Sequence, residues 1–150
     1  MKRKTMKAMV YTRFGPPDVL EVAEIERPTP SADEVLINVR AASINYSNVA
    51  FVSGKPFMVR LMGGGLFTPA FGILGTDIAG RVEAIGKNIT QFQPGDEVYG
   101  DLSDCGRGGY AEYVTAPEDA LALTAVMPAG SVSLTVTEWV MPSVLLRRNT

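Results

Sequence analysis

At 150 residues, 46% hydrophobic and 20% charged, the chain carries enough apolar material for one ordinary core. Lys and Arg number 14 against 16 Asp and Glu, so no positive excess exists to hold a phosphate backbone, and a nucleic-acid partner is not expected. The count of zero histidines deletes Ser-His-Asp and Cys-His nucleophilic sites, HExxH helices and every His-liganded zinc in one step.

The N-terminus, MKRKTMK, is basic like the start of a signal peptide, but AMVYTRFGPP follows, far short of the apolar run of about 7 to 15 residues that export needs. A cytoplasmic chain is expected. No stretch of about 18 apolar residues occurs, which predicts no membrane span. The single Cys105 cannot form an internal disulfide, in agreement with a reducing compartment.

Residues 7–14 (KAMVYTRF) and 19–26 (VLEVAEIE) are separated by GPPD, where Pro fixes φ and Asp can bond its own backbone, so they predict a hairpin. Residues 34–44 (EVLINVRAASI) alternate apolar and polar with the period of a strand. Residues 45–54 (NYSNVAFVSG) offer Ser43, Asn45 or Ser47 as N-cap and Gly54 as the stop of one or two helical turns. Residues 55–74 have neither period, and their glycine triplet and prolines predict a long loop carrying at most one short helix.

Residues 78–85 (IAGRVEAI) alternate as a strand, with Gly80 marking a bulge or bend. In QPGDEVYG, Pro94 and Gly95 suit the middle of a type II turn before another strand. GGYAEYVTA, residues 108–116, predicts a strand opened by two glycines, and PEDALAL a turn with a short strand. Many short strands and only one or two small helices give the expected fold class: a mainly β domain forming a partly open barrel.

Gly75, Gly80 and Gly86 in GTDIAGRVEAIG raise the alternative of a phosphate-cradling loop. A dinucleotide fingerprint needs GxGxxG where a strand turns into a helix. These glycines are spaced by five and six residues and no helical pattern follows them, nor does one follow Gly63 to Gly65. A barrel strand is therefore expected, and no Rossmann domain.

The order MKAMVYTRFGPPDVLEV, DEVLINVRAASIN, ILGTDIAGRVEAIG, FQPGDEVYG and GGYAEYV resembles the N-terminal, GroES-like domain of the medium-chain dehydrogenase/reductase superfamily. It is most similar to the zinc-independent quinone and enone reductase branch. The resemblance covers residues 6–123 and sets the expected division: a GroES-like domain over 1–123 and a divergent tail over 124–150 that is not a cofactor domain. Zinc alcohol dehydrogenases of the superfamily have a cysteine ligand where Asn45 stands here, and a His-Glu pair where Thr76 and Asp77 stand. Their structural zinc lobe would lie between GDEVYG and GGYAEY, where only Cys105 is present. No zinc is expected.

The resemblance implies hydride transfer from NADPH or NADH to a small-molecule quinone, enone or similar carbonyl compound. No βαβ unit fits in TAVMPAGSVSLTVTEWVMPSVLLRRNT, so a shortened chain that neither holds a dinucleotide nor turns over alone is expected. The second expectation, from another class, is a stand-alone barrel used for assembly, forming a homo-oligomer through the face that a cofactor domain would cover.

An oxygen gaining charge without a metal needs hydrogen-bond donors. Asn45 and Tyr46 supply an amide and a phenol at positions that face the nicotinamide in the family, which makes them the candidate catalytic and cofactor-binding pair. The alternative is a helix cap and a packed ring. Thr76 and Asp77 would line the same cleft, with Asp77 expected to bond nearby backbone N–H groups. Phe57 and Phe71 would bound an apolar mouth for a flat substrate, or simply pack. Asp101 and Asp104 disfavour a Cys105 thiolate while Arg107 opposes them, and Arg81 and Glu83 belong to a solvated strand face.

Overall fold

The computed structural model describes residues 4–61, 65–70 and 72–124. Gly63, Gly64, Phe71 and residues 125–150, on which several of the expectations above fall, lie outside the described residues. The first two strands are β1 (Thr5–Val10) and β2 (Glu21–Glu26), joined through a 3-10 turn at Pro17–Val19. They pair antiparallel from Thr5 opposite Glu26 to Val10 opposite Glu21, which is the expected hairpin. Its first strand is shorter than expected, because the Tyr11 N–H bonds to the Gly72 carbonyl and the Gly15 N–H to the Val52 carbonyl, taking this backbone out of the ladder.

β3 (Glu34–Ala42) is followed by helix α1 (Tyr46–Ser53), then β4 (Asp77–Ile85), β5 (Glu97–Asp101), β6 (Tyr113–Pro117) and β7 (Leu121–Leu123). Five of these strands form one antiparallel sheet in the order β6-β3-β4-β5-β7. The alternation in β3 turns Val35 and Ile37 fully into the core, where they meet Ile78, Val82, Val98, Leu102 and Val114. A second cluster, Tyr11, Val19, Val52 and Leu74, packs α1 against the start of the chain.

The expected barrel is partly open: among the described residues the two sheets are linked by the bridges Ala8–Ala111 and Val10–Ile73 and do not close. Pro94 and Gly95 occupy the expected turn, with the Asp96 N–H bonded back to the Gln93 carbonyl and Gly95 at φ 105°.

Two expectations are corrected in detail. The strand expected from residue 108 begins at Tyr113, because Arg107 and Gly108 take positive φ and the N–H groups of Gly109 and Tyr110 bond to the carbonyls of Gly75 and Leu74. Of the bulge or bend expected at Gly80, no bulge falls on that residue, which pairs Val39: the ladder leaves Arg40 extra on the partner strand, between Val39–Gly80 and Ala41–Ala79, and Glu83 extra on β4, between Leu36–Ala84 and Ile37–Val82. Gly80 is needed for close approach, since a Cβ there would lie 2.4 Å from the Asn38 carbonyl oxygen.

Ile37 is wholly buried at the centre of the sheet, so Ile37→Ala should cost about 2 to 5 kcal/mol through lost burial and a residual cavity. Urea unfolding checks this, and an unchanged midpoint would show that the core is not where the sheet places it.

Candidate functional site

The site assembles where β3 ends, α1 begins and β4 begins. Asn45 takes an extended backbone as the N-cap of α1, and its side-chain oxygen accepts from the Asn48 N–H. Of the three candidate caps it is therefore Asn45 that caps, which satisfies one of the orphan N–H groups of the first turn. The same oxygen accepts from the Ser47 hydroxyl at 2.6 Å and from Asn48 Nδ2 at 2.9 Å.

With its acceptor committed to the helix, the Asn45 amide nitrogen points at β4. Nδ2 donates to Thr76 Oγ1 at 3.0 Å and to Asp77 Oδ2 at 2.9 Å. The Asp77 carboxylate also accepts from the Ser43 hydroxyl at 2.5 Å and from Thr76 Oγ1 at 3.4 Å. Its partners are thus side chains, where backbone N–H groups had been expected. Two hydroxyls, an amide and a carboxylate from two segments of chain share one network.

Thr76 is 2% exposed, so its hydroxyl supports the network from beneath rather than lining an open surface. Tyr46, in contrast, is 80% exposed on the first turn of the helix, with its phenol free to meet a ligand. Phe57 is exposed on the loop after α1, and Val49, Met58, Leu61 and Phe67 are exposed with it. The structure thus brings Asn45, Thr76 and Asp77 together and leaves Tyr46 and Phe57 at the surface; Phe71 lies outside the described residues.

Two residues of this site, Asn48 and Tyr110, carried no functional reading in the sequence, and Gly75 was weighed there only as part of a phosphate-cradling loop. Asn48, 3% exposed, accepts from the Gly75 N–H at 3.3 Å while donating to Asn45, and so ties the helix cap to the approach of β4. Gly75 sits at φ 95°, where a Cβ would meet the Tyr110 backbone nitrogen at 2.7 Å; only glycine meets both demands without strain. Tyr110 closes the back of the site, its hydroxyl donating to the Ser43 carbonyl at 3.0 Å. Burial, then the Asp77 charge, push this phenol up to about 12. A polar residue spaced three along a helix and an aromatic after paired glycines are too common to have been singled out.

Cys105 keeps its proton more firmly than an ordinary thiol, through burial first and then Asp101, Asp119 and Asp104. Asp119, from the turn before β7, was not foreseeable from the local sequence. Burial also raises the Tyr11 phenol, against the opposing charge of Arg107. No group of three or more Cys, Asp or Glu able to hold a metal ion occurs among the described residues.

Comparisons with known proteins identify the domain that carries this site. A family model described as the alcohol dehydrogenase GroES-like domain matches residues 31–127. A quinone oxidoreductase of Sus scrofa is 35% identical over 122 residues, covering 79% of this chain and 33% of that protein. The chloroplastic quinone-oxidoreductase QR1 of Triphysaria versicolor is 37% identical over 121 residues, covering 79% and 34%. Among solved structures, the quinone oxidoreductase from Coxiella burnetii superposes with a TM-score of 0.70 at 32% identity, over 81% of this chain and 38% of that one. The Escherichia coli quinone oxidoreductase complexed with NADPH gives a TM-score of 0.64 at 25% identity, over 78% and 32%. The chain thus spans about a third of the length of the curated relatives it matches.

Asn45→Asp keeps the cap acceptor but sets a second carboxylate against Asp77, so it should destabilise at neutral pH and recover as the pH falls and the pair takes up a proton. Thermal unfolding of Asn45→Asp and the parent across acidic to neutral pH reads this; equal pH dependence in both would show that Asn45 does not face Asp77. The Tyr110 phenol, raised from 10.0 to about 12, holds its proton more tightly folded than unfolded. Its contribution to stability is fully present below pH 10 and is lost as the pH rises toward 12. Spectrophotometric titration of the folded chain should find late phenols, one of which is lost in Tyr110→Phe and all of which titrate normally in denaturant; five phenols titrating together in the folded state would contradict it.

Proposed function

The chain belongs to the alcohol dehydrogenase GroES-like domain family, and we propose that it is the substrate-side domain of a zinc-independent, NAD(P)H-dependent oxidoreductase. Its substrate class is quinones, enones or related carbonyl compounds. One observation carries the reading: Asn45, Thr76 and Asp77, which stand where zinc alcohol dehydrogenases of the superfamily have metal ligands, do converge, but as a hydrogen-bonded set at 2.9 to 3.0 Å.

That donor set does not fit zinc. An amide, a hydroxyl and one carboxylate offer neither thiolate nor imidazole, and the carboxylate oxygen nearest the others already accepts three hydrogen bonds. The residues do fit a nicotinamide held against this face by another part of the enzyme, with Tyr46 exposed beside the network.

The nicotinamide would supply the hydride. The residues of this chain would do the rest: the Tyr46 phenol donates a hydrogen bond to the oxygen on which charge gathers, which lowers the barrier electrostatically. Asn45 acts as a positioning residue, since both of its amide hydrogens are directed to Thr76 and Asp77 and fix the first turn that carries Tyr46. Phe57 and its apolar neighbours offer a wall for a flat substrate. NADPH is named for one solved relative, and the quinone class by the relatives' names. No helix of the described residues is long and apolar enough to cross a membrane.

A second reading, an assembly module, is favoured by the exposed apolar side chains Tyr46 and Val49 on α1 and Phe57, Met58, Leu61 and Phe67 in the segment after it. In that case the chain forms homo-oligomers through this surface.

Calorimetric titration of the 150-residue chain with NADPH and NADH, followed by a quinone-reduction assay, tests the main reading. Neither saturable binding nor turnover is expected from these residues alone, and metal analysis should find substoichiometric zinc. Turnover by the chain alone or one zinc per chain would sink it, whereas concentration-dependent assembly abolished by Phe67→Asp would favour the module.

A further inference from the structure

The face of the large sheet turned away from the core carries a second group of polar side chains. Alternation sends Ile37, Val82 and Val114 inward and their neighbours Asn38, Arg81 and Tyr113 outward. The register sets Asn38 opposite Arg81 on one side and opposite Tyr113 on the other. Phenol, amide and guanidinium therefore form one row across β6, β3 and β4. With Arg40 they line a cleft of about 470 Å³ bounded by the turn at Pro94 and Gly95, within the size range of small-molecule sites.

The charges in this cleft are unevenly matched. Glu83, the carboxylate among its lining residues, is held by Arg27 at 2.8 Å, and Arg27 in turn lies 3.7 Å over the Tyr113 ring. Arg81 donates from Nε to the Gly95 carbonyl at 2.9 Å, which fixes the plane of its guanidinium and leaves its terminal nitrogens available. Glu97, its cross-strand neighbour on β5, does not line the cleft and forms no ion pair with it. Arg40, the extra residue of the bulge, is exposed and makes no hydrogen bond or ion pair among the described residues. Bulges re-aim side chains and recur beside functional sites.

We propose that this cleft binds an oxyanion of phosphate type carried on a small soluble molecule. Arg40 and Arg81 supply two guanidinium forks, a geometry suited to the tetrahedral oxygens of phosphate, and Asn38 adds a neutral donor. Tyr113 and Pro94 give the organic part of the ligand an apolar edge. The site is separate from the Asn45 network, and its occupancy does not depend on the oxidoreductase reading.

Inorganic pyrophosphate titrated into the ¹⁵N-labelled full chain, with chloride at matched ionic strength as control, tests the assignment by NMR. Saturable shifts are expected at Arg40 Nε, Arg81 Nε, Asn38 Nδ2 and the Gly95 amide, and Arg40→Gln, an exposed change that leaves the sheet intact, should weaken the affinity about tenfold. Shifts that grow linearly, that chloride reproduces, or that Arg40→Gln leaves unaltered would overturn it. A parallel arm with anionic phospholipid vesicles should leave the chain in solution; co-sedimentation without a pyrophosphate response would overturn the soluble ligand in favour of a lipid surface.

Discussion

The half-buried carboxylate of Asp77 is the point on which the local architecture depends. It gathers the Ser43 hydroxyl from the end of β3, the Asn45 amide from the cap of α1 and the Thr76 hydroxyl from its own strand start. A partly buried carboxylate is costly unless its oxygens are satisfied, and here the β3–α1 junction at residues 43–45 must arrive against the start of β4 to satisfy one oxygen. The direction in which α1 leaves the sheet, and so the position of Tyr46, follows from that requirement.

Behind the carboxylate, packing and backbone geometry hold the same two stretches in place. Asn48 reaches from the helix to the Gly75 N–H, Gly75 adopts a left-handed backbone against Tyr110, and the Tyr110 hydroxyl returns to the Ser43 carbonyl. The loop is closed by backbone bonds from Gly109 and Tyr110 to Gly75 and Leu74. These bonds are also why the chain does not enter β6 until Tyr113. The apolar cluster of Tyr11, Val19, Val52 and Leu74 then fixes the far side of the helix.

The two faces of the large sheet have diverged in character. The inner face carries a continuous apolar core, while the outer row carries arginines, an amide and a phenol. Arg81 and Glu83, expected as solvated surface, each have a fixed partner, Gly95 and Arg27 respectively. Exposed ion pairs contribute little stability, so the consequence of this arrangement lies in where charge is left uncompensated, which is at Arg40 and the free end of Arg81.

The strands over 34–44 and 78–85, the hairpin, the helix ended by Gly54 and the turn at Gly95 were legible in the sequence, because alternation, cap chemistry and turn residues act over a few neighbouring positions. The family blocks likewise marked Asn45, Thr76 and Asp77 before any geometry was known. Contacts between positions far apart in sequence were not legible. That Asn45 spends both amide hydrogens on residues about thirty positions away, that Thr76 is buried while Tyr46 is exposed, that bulges fall on Arg40 and Glu83 instead of Gly80, and that Asp119 reaches Cys105 all depend on strand register and helix placement. The sequence by itself determined which segments are strands and which chemical groups they carry; only tertiary structure decided which of those groups meet, because hydrogen bonds and burial are set by proximity in space.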